Sequence, residues 1–127
     1  MTAQAEGNTM TAEEIVRAEI AAWADNDVDG VMAHFADDAT FDIGPDWPRL
    51  QGRDAIQEMM KTFFAGGKCV DLKVEYLAVD RNVVLMERTD YWEVNGKQMS
   101  WPVMGAYEVK DGKIVRWREF FHPPKDV

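Results

Sequence analysis

The segment from Val83 to Trp92 combines a strand-forming pattern with two side chains that could do acid–base chemistry. β-Branched, aromatic and long apolar residues dominate it, which is typical of a β-strand. Because side chains alternate between the two faces of a strand, Arg88 and Asp90 share one face with apolar residues. That face also carries Val84, Met86 and Trp92. A buried charge is costly unless it is paired, so we expect Arg88 and Asp90 to pair with each other or with a third group.

The final strand, predicted from Lys113 to His122, adds a second acid on an oily face. The same alternation places Val115, Trp117, Glu119 and Phe121 on one side, and Ile114, Arg116, Arg118, Phe120 and His122 on the other. Asp, Glu and Arg are almost never fully buried without a partner. Two carboxylates and one arginine on inward faces therefore indicate either a functional site or a set of charges that merely neutralise one another.

Two carboxylates beside one arginine suit proton transfer, because burial and a shared cation can hold similar acids in different protonation states. The apolar lining predicted around them favours a small hydrophobic substrate. Residues predicted to form that lining from these strands are Met86, Trp92, Trp101, Trp117 and Phe121. We expect no metal and no cofactor, since His34 and His122 are the only histidines and neither has ligand spacing.

The first half of the chain predicts three helices. Thr11 and Glu14 form a capping box, so a helix should begin there and stop at Asp25-Asn26-Asp27. A short helix should follow from Val28 to Phe35, with a turn at Asp37-Asp38 and a short strand from Ala39 to Ile43. The third helix is expected over Arg53 to Phe64, with the apolar face Ile56, Met59, Met60 and Phe63, and Gly66-Gly67 should end it.

The second half predicts a meander of long strands. The first runs from Lys68 to Val79 and leads through Asp80-Arg81-Asn82 into the central strand. Asn95-Gly96 and Asp111-Gly112 are hairpin signals on either side of a strand from Gln98 to Val109. Pro102 within that strand predicts a bulge or a sheet edge. Three helices with this sheet predict an α+β fold, in which a curved, mostly antiparallel sheet packs on the helices and closes a cone.

Composition limits the classes of function. The 127 residues fit one domain, which we place at residues 10–127 after a loose tail at 1–9. A net charge of −9 argues against a nucleic-acid partner, and no apolar run approaches the length of a membrane span. Cys69 is the single cysteine and is expected to pack in a strand. These features predict a cytoplasmic protein.

Several motifs resemble the nuclear transport factor 2-like superfamily, which includes ketosteroid isomerases and SnoaL-like polyketide cyclases. They are Asp27-Val28-Asp29-Gly30-Val31, Phe35-Ala36-Asp37-Asp38-Ala39-Thr40 and Gly52-Arg53-Asp54-Ala55-Ile56. Two further segments look like the limonene-1,2-epoxide hydrolase branch. These are Glu87-Arg88-Thr89-Asp90 and the run from Gly112 to Phe121. The resemblance covers the chain from about residue 11 and implies the cone-shaped fold and a homodimer, which the wide outer sheet face also favours.

The resemblance also implies roles for particular residues. In that branch an Arg-x-Asp strand supplies a bridging arginine and the acid that protonates the epoxide, and an acid on the last strand activates water. Those roles would fall on Arg88, Asp90 and Glu119. The family has an aspartate at the position of Glu119. It also holds the water with a Tyr and an Asn, whose positions correspond to Phe41 and Ile43, so we expect these two side chains to line the substrate pocket instead.

Three functions follow as hypotheses. The first is hydrolysis of a small hydrophobic epoxide by the Asp–Arg–Glu set. The second is a cyclase or isomerase that uses Asp90 or Glu119 as a general base. The third is a small-molecule binding domain without catalysis. Steroid isomerisation is disfavoured, because it would need a basic aspartate near Ile43 and a tyrosine near Glu19.

Overall fold

The computed structural model describes residues 10–121, so the tail predicted at 1–9, and His122 with Pro123 and Pro124, lie outside the described part. Three helices and six strands occur within it. The helices are α1 (Ala12–Ala24), α2 (Val28–Met32) and α3 (Arg53–Gly66). The strands are β1 (Phe35–Ile43), β2 (Leu50–Gln51), β3 (Gly67–Asp80), β4 (Val83–Val94), β5 (Lys97–Lys110) and β6 (Lys113–Phe121).

Helix α1 begins where its capping box predicts. The Thr11 side chain accepts a hydrogen bond from the backbone of Glu14, and the Glu14 carboxylate accepts one from the backbone of Thr11. The buried face contains Ile15, Ile20 and Trp23, and it also contains Glu19, which the apolar pattern did not include. The cap and the apolar spacing therefore explain the helix, but not the acid inside it.

The segment after α2 differs from the prediction. Helix α2 ends at Met32, and Phe35 already belongs to β1. Asp37 and Asp38, predicted as a turn, lie within β1 and face solvent. The turn predicted from local propensity is wrong because pairing within the sheet stabilises an extended backbone that Asp37-Asp38 does not favour by itself. Strand β1 pairs in parallel with β6 across a register shift between Phe35 and Thr40, which accommodates the polar residues.

Helix α3 runs slightly beyond its predicted end, to Gly66, and Gly67 is its C-terminal cap. Ile56 and Met60 are fully buried, as the spacing predicts. Phe63 is 45% exposed, so its inclusion in the buried face was wrong, and its neighbour Phe64 packs against the core instead. This end of α3 lies against the sheet face that carries Trp92.

The sheet has the strand order β2-β1-β6-β5-β4-β3. The pair β1/β6 is parallel and the other neighbours are antiparallel. Both predicted hairpins are present, with positive φ at Asn95-Gly96 and at Asp111-Gly112. Together with the helices this confirms the α+β class with a curved, mostly antiparallel sheet.

Pro102 does not lie at a bulge, but among the described residues it is paired on the β4 side only, so the edge alternative of the prediction holds locally. It sits opposite Thr89 in the uninterrupted β4/β5 ladder, in a strand with neighbours on both sides. Proline lacks the N–H that a ladder uses. The described pairing of β5 with β6 begins only at Val103, so Pro102 lies just beyond the end of that ladder.

The predicted alternation along the last strand fails at its start. A register shift between Glu108 and Val109 places Ile114 opposite Val109, in the core, although strict alternation assigned it to the outer face. From Trp117 onward the alternation holds, and Trp117 and Glu119 are buried. A β-bulge adds one residue to a strand and so reverses the faces on one side of it.

The core lies between the helices and the inner sheet face and includes Val16, Met32, Ile56, Val84 and Ile114. None of the described helices has the length and apolar character that crossing a membrane requires. The inner sheet face holds Arg88, Asp90 and Glu119 among these residues, so the fold positions a polar cluster inside an apolar space.

Candidate active site

Arg88, Asp90 and Glu119 meet on the inner face of the sheet. Arg88 Nε donates to Asp90 Oδ1 at 2.7 Å, and Arg88 Nη2 donates to Asp90 Oδ2 at 3.2 Å. Nη2 also donates to Glu119 Oε2 at 2.5 Å. All three side chains are nearly inaccessible, at 4%, 8% and 10% exposure. One guanidinium thus joins two carboxyl groups, in a water-poor setting where charge-assisted hydrogen bonds are strong.

Glu119 has one oxygen held and one oxygen free. Oε2 accepts from Arg88 and also from the Trp117 indole Nε1 at 3.0 Å. Oε1 has no partner among the described residues, and it is not sealed from solvent. Because Glu119 lines the cavity described below, this free oxygen can accept a proton from a molecule bound there.

The far side of Arg88 is held by groups from β4 and β5. Arg88 Nη1 donates to the Tyr107 hydroxyl at 3.0 Å and lies 3.8 Å from the Met86 sulfur. Gly105 stands opposite both Met86 and Glu119, and a Cβ there would lie 3.3 Å from Nη1. The glycine therefore leaves the room that the guanidinium occupies.

Burial sets the electrostatics of the cluster. Desolvation raises the pKa of Glu119 above its ordinary value, although Arg88 acts to lower it and Asp90 to raise it further. Burial alone would lower the pKa of Arg88, but Glu119, Tyr107 and Asp90 outweigh it and raise that pKa well above the usual value. Burial likewise keeps Tyr107 protonated by raising its pKa. The cluster thus has a permanent cation and an acid that is easier to protonate than a free glutamate.

Glu19 is a buried acid near this cluster that sequence reasoning missed as a site residue. Its Oε2 accepts from Trp23 Nε1 at 2.6 Å, whereas Oε1 is buried with no partner among the described residues. Burial raises the pKa of Glu19 to about 8, opposed by the charge of Arg88. The available signal was its spacing, because Ile15, Glu19 and Trp23 are each four residues apart on the buried face of α1.

A cavity of about 290 Å³ opens above the cluster. Asp90, Arg88 and Glu119 form its polar floor. The predicted lining residues that do border it are Phe41, Ile43, Trp92, Trp101, Trp117 and Phe121. Met86 does not border it, so its place in the predicted lining was wrong. The pleat puts Met86 on the correct face, but it lies beneath Arg88, which separates it from the cavity.

Phe41 and Ile43, which stand where the resemblance implies a Tyr and an Asn, both lie in the cavity wall. Phe41 stacks on Trp117 with ring centroids 3.5 Å apart and an interplanar angle of 11°. Ile43 lies opposite Glu119 in the β1/β6 pair. Asp42 between them points away, as alternation predicts, and forms a two-point ion pair with Arg49. Neither wall residue can hydrogen-bond through its side chain to a molecule at the floor.

The described residues offer no alternative chemistry at a metal or a thiol. They contain no cluster of His, Cys, Asp and Glu side chains suited to a metal ion. Cys69 is buried, and desolvation followed by the charge of Asp90 raises its pKa to about 12. A thiol in that state is a packing residue and a poor nucleophile, as the sequence predicts.

Comparison of the sequence with known proteins finds similarity to epoxide hydrolases. The family model described as the limonene-1,2-epoxide hydrolase catalytic domain matches residues 10–124. Epoxide hydrolase EphG of Mycobacterium tuberculosis is 29% identical over 107 residues, which cover 84% of this chain and 70% of that protein.

Solved structures give a consistent result. An LEH-like epoxide hydrolase of Mycobacterium tuberculosis superposes with a TM-score of 0.79 at 27% identity, covering 90% of this chain and 84% of the other. A candidate polyketide cyclase of Xanthomonas campestris superposes with a TM-score of 0.75 at 23% identity, covering 87% and 90%. The second likeness concerns the fold alone.

Proposed function

The chain belongs to the limonene-1,2-epoxide hydrolase family, and from that premise we propose that it adds water to a small hydrophobic epoxide. The observation that carries the proposal is the joining of Asp90 and Glu119 by Arg88 at the floor of an apolar cavity. Epoxide opening needs a proton donor for the ring oxygen and a base for the attacking water, and this floor offers two carboxyl groups held at fixed separation.

In the proposed reaction, a water molecule near Glu119 Oε1 attacks one carbon of the three-membered ring. Glu119 takes a proton from that water as the new C–O bond forms. The ring C–O bond breaks, and Asp90, carrying a proton, gives it to the departing oxygen. The product is a diol. The proton on Glu119 then returns to Asp90 through solvent, which restores the starting state with no net change in charge.

The hydrogen bonds of the floor fit this division of labour. Glu119 keeps Oε1 open to the cavity, as a base requires, while Arg88 and Trp117 fix Oε2. Each Asp90 oxygen accepts one hydrogen bond from Arg88 and retains a second lone-pair position that can hold the proton this role requires. Arg88 fixes the geometry of both groups, and placement errors on the ångström scale cost on the order of a hundredfold in rate.

Water must be positioned without the Tyr and Asn side chains implied by the family resemblance. In this chain Phe41 and Ile43 stand at those positions and offer no hydrogen bonds. Glu119 is also one methylene longer than aspartate, and its Oε2 accepts a hydrogen bond from the Trp117 indole. We propose that Glu119 Oε1 alone orients the water, and that Trp117 fixes the carboxyl group by donating to Oε2.

The test is hydrolysis of limonene-1,2-epoxide, cyclohexene oxide and styrene oxide, with ¹⁸O-labelled water to trace the new oxygen in the diol. We expect Asp90→Asn and Glu119→Gln each to lower kcat by about 10²- to 10⁴-fold, the usual contribution of a general acid or base. Asp42→Asn is the matched control, because it removes a carboxylate from the neighbouring strand on the outer side and should leave kcat unchanged.

Two results would contradict the proposal. Turnover by Asp90→Asn or Glu119→Gln within a few-fold of the parent would remove that residue from the mechanism. Failure of the folded parent to hydrolyse any of the three epoxides would reject the reaction and leave the cyclase or isomerase and the binding domain as the remaining hypotheses.

A second candidate, a cyclase or isomerase that abstracts a proton from carbon, is favoured by the apolar side chains of Phe41 and Ile43. A base that acts on a C–H bond needs no positioned water. Glu119, whose pKa burial raises, would be the base. Incubation of small hydrophobic ketones in D₂O tests this, since deuterium uptake that Glu119→Gln abolishes would support it and no uptake across the panel would reject it.

A further inference from the structure

We propose that the cavity selects substrates with a flat aromatic ring, so that aryl epoxides are preferred to saturated ring epoxides of the same size. The epoxide group in this inference rests on the proposed function, but the selection for an aromatic ring rests on the cavity walls alone. Nothing in the reaction at the floor requires it, because the floor contacts only the epoxide and the water.

The walls above the floor are built mainly from aromatic rings. Trp92 and Trp101 lie nearly parallel, with centroids 6.5 Å apart and an interplanar angle of 17°. Trp23 meets Trp92 and Trp117 edge-on, at 6.2 Å and 6.0 Å. All of these residues border the cavity, so a guest there lies among aromatic rings set at different angles.

Aromatic rings carry negative faces and positive edges, so they attract one another in offset-stacked and edge-to-face arrangements. A saturated ring of equal size buries similar apolar area but has no such charge distribution. The hydrophobic effect would therefore contribute equally to the affinity of the two rings, and the aromatic contacts would make the aromatic ring bind more tightly. One such contact changes affinity by roughly threefold to tenfold.

Phe41 adds to the aromatic character of the cavity walls. It packs flat against Trp117 and presents an apolar side chain beside the floor, where a tyrosine would offer a hydroxyl group. Trp23 is fixed because its Nε1 donates to Glu19, which turns this polar edge toward the buried acid. The orientation of Trp23 is therefore fixed by a hydrogen bond to a residue outside the cavity lining, and that of Phe41 by its stacking on Trp117.

The cavity volume agrees with a single ring as the guest. At about 290 Å³ it lies at the lower end of ligand pockets. Filled at a density somewhat below that of a protein interior, it takes on the order of ten non-hydrogen atoms. That is the size of a phenyl ring with an epoxide attached.

The experiment compares binding of benzamide and cyclohexanecarboxamide to the whole protein by isothermal titration calorimetry. The two share the amide group, which meets the polar floor, and differ only in the ring. We expect benzamide to bind threefold to tenfold more tightly. Trp101→Leu, at a half-buried wall position, should lower the ratio, whereas Trp47→Leu, at an exposed residue outside the cavity, should leave it unchanged.

Kinetics extend the comparison to substrates. Styrene oxide should have a lower KM than its cyclohexyl analogue in the parent, and Trp101→Leu should reduce that difference. Equal affinity for the two amides in the parent, or a ratio that Trp101→Leu leaves unchanged, would overturn the aromatic selection.

The two proposals fail separately. A preference for benzamide in a protein that hydrolyses no epoxide would support the aromatic selection and reject the reaction. Hydrolysis of the saturated and aryl epoxides with equal KM, together with equal amide affinities, would overturn the selection and leave the reaction intact.

Discussion

Arg88 shares one positive charge between two carboxyl groups, and a third acid, Glu19, is buried nearby without a direct contact to it. An isolated buried carboxylate is costly, so such a group keeps its proton to higher pH than a free acid does. At the scale of single residues, the response of the protein to pH follows from which of these acids is held by Arg88 and which is not.

The first prediction concerns the pH dependence of hydrolysis. Only ionised Glu119 can accept a proton from water, and burial raises its pKa above the value of 4.5 for a free glutamate. We therefore expect kcat to fall as the pH is lowered through a pKa above 4.5, and Asp42→Asn to show the same profile. A kcat that stays constant down to about pH 4 would contradict the role of Glu119 as the base.

The second prediction concerns stability and Glu19. Its pKa is about 8 in the folded protein and 4.5 as the reference value, so the folded state binds the extra proton between these values. The contribution of Glu19 to stability is therefore present below pH 4.5 and is lost as the pH rises toward 8. Glu19→Gln has no proton to lose, so we expect its free energy of unfolding to decline less with pH than that of the parent.

The expected difference between the parent and Glu19→Gln, from pH 5 to pH 9, is a few kcal/mol, with roughly 5 kcal/mol as an upper bound from the size of the shift. Urea unfolding at a series of pH values measures it. Glu13→Gln, on the exposed side of the same helix, is the control and should follow the parent. Parallel pH profiles for the parent and Glu19→Gln would show that Glu19 is ionised in the folded protein.

At the scale of elements, the site depends on how three adjacent strands stack their residues. Met86 on β4, Gly105 on β5 and Glu119 on β6 stand opposite one another in continuous registers. The middle position carries no side chain, and Arg88 Nη1 fills the space. A glycine usually weakens a strand, so here it indicates a close approach between a strand and a neighbouring group.

The third prediction is that Gly105→Ala lowers kcat by about ten- to a hundredfold, because its methyl group would displace Arg88 by a few tenths of an ångström or more from both acids. Steady-state kinetics with a thermal unfolding curve measure this. The variant should remain folded, since the nearest atoms belong to side chains that can shift. A kcat within twofold of the parent would show that Arg88 tolerates the displacement.

At the scale of the whole molecule, the outer face of the sheet carries a patch of exposed apolar side chains. Leu85 is 47% exposed, Met104 54% and Phe120 46%, and Met104 lies opposite Phe120 in the β5/β6 pair. Arg118 places its guanidinium 5.4 Å from the Phe120 ring. An apolar patch with a charged margin favours a protein interface, and a second copy of the chain is the partner we propose.

The fourth prediction is therefore a homodimer through this face. Light scattering coupled to gel filtration should give twice the mass of the chain for the parent. Met104→Glu should give the monomer, since the symmetric contact would bury the new charge on both sides. Trp47→Glu changes an exposed apolar residue elsewhere and should stay dimeric. A parent that runs as a monomer at all accessible concentrations would reject the proposal.

The sequence by itself placed Arg88 and Asp90 on the inner face of β4, and Trp117 and Glu119 on the inner face of β6, because alternation along a strand is a local property of the backbone. It also determined the start of α1 and the two hairpins, whose signals lie within four residues. The motifs that it shares with the family also predicted the fold and the family.

Only the tertiary structure decided how these faces meet. It placed Ile114 in the core through a bulge, Met86 beneath Arg88 and Asp37-Asp38 within β1. It also brought Glu19 from α1 close to the charges of the site, where burial raises its pKa. The reason is that registers, bulges and burial depend on which residues of distant segments come into contact, and a local pattern holds no information about those contacts.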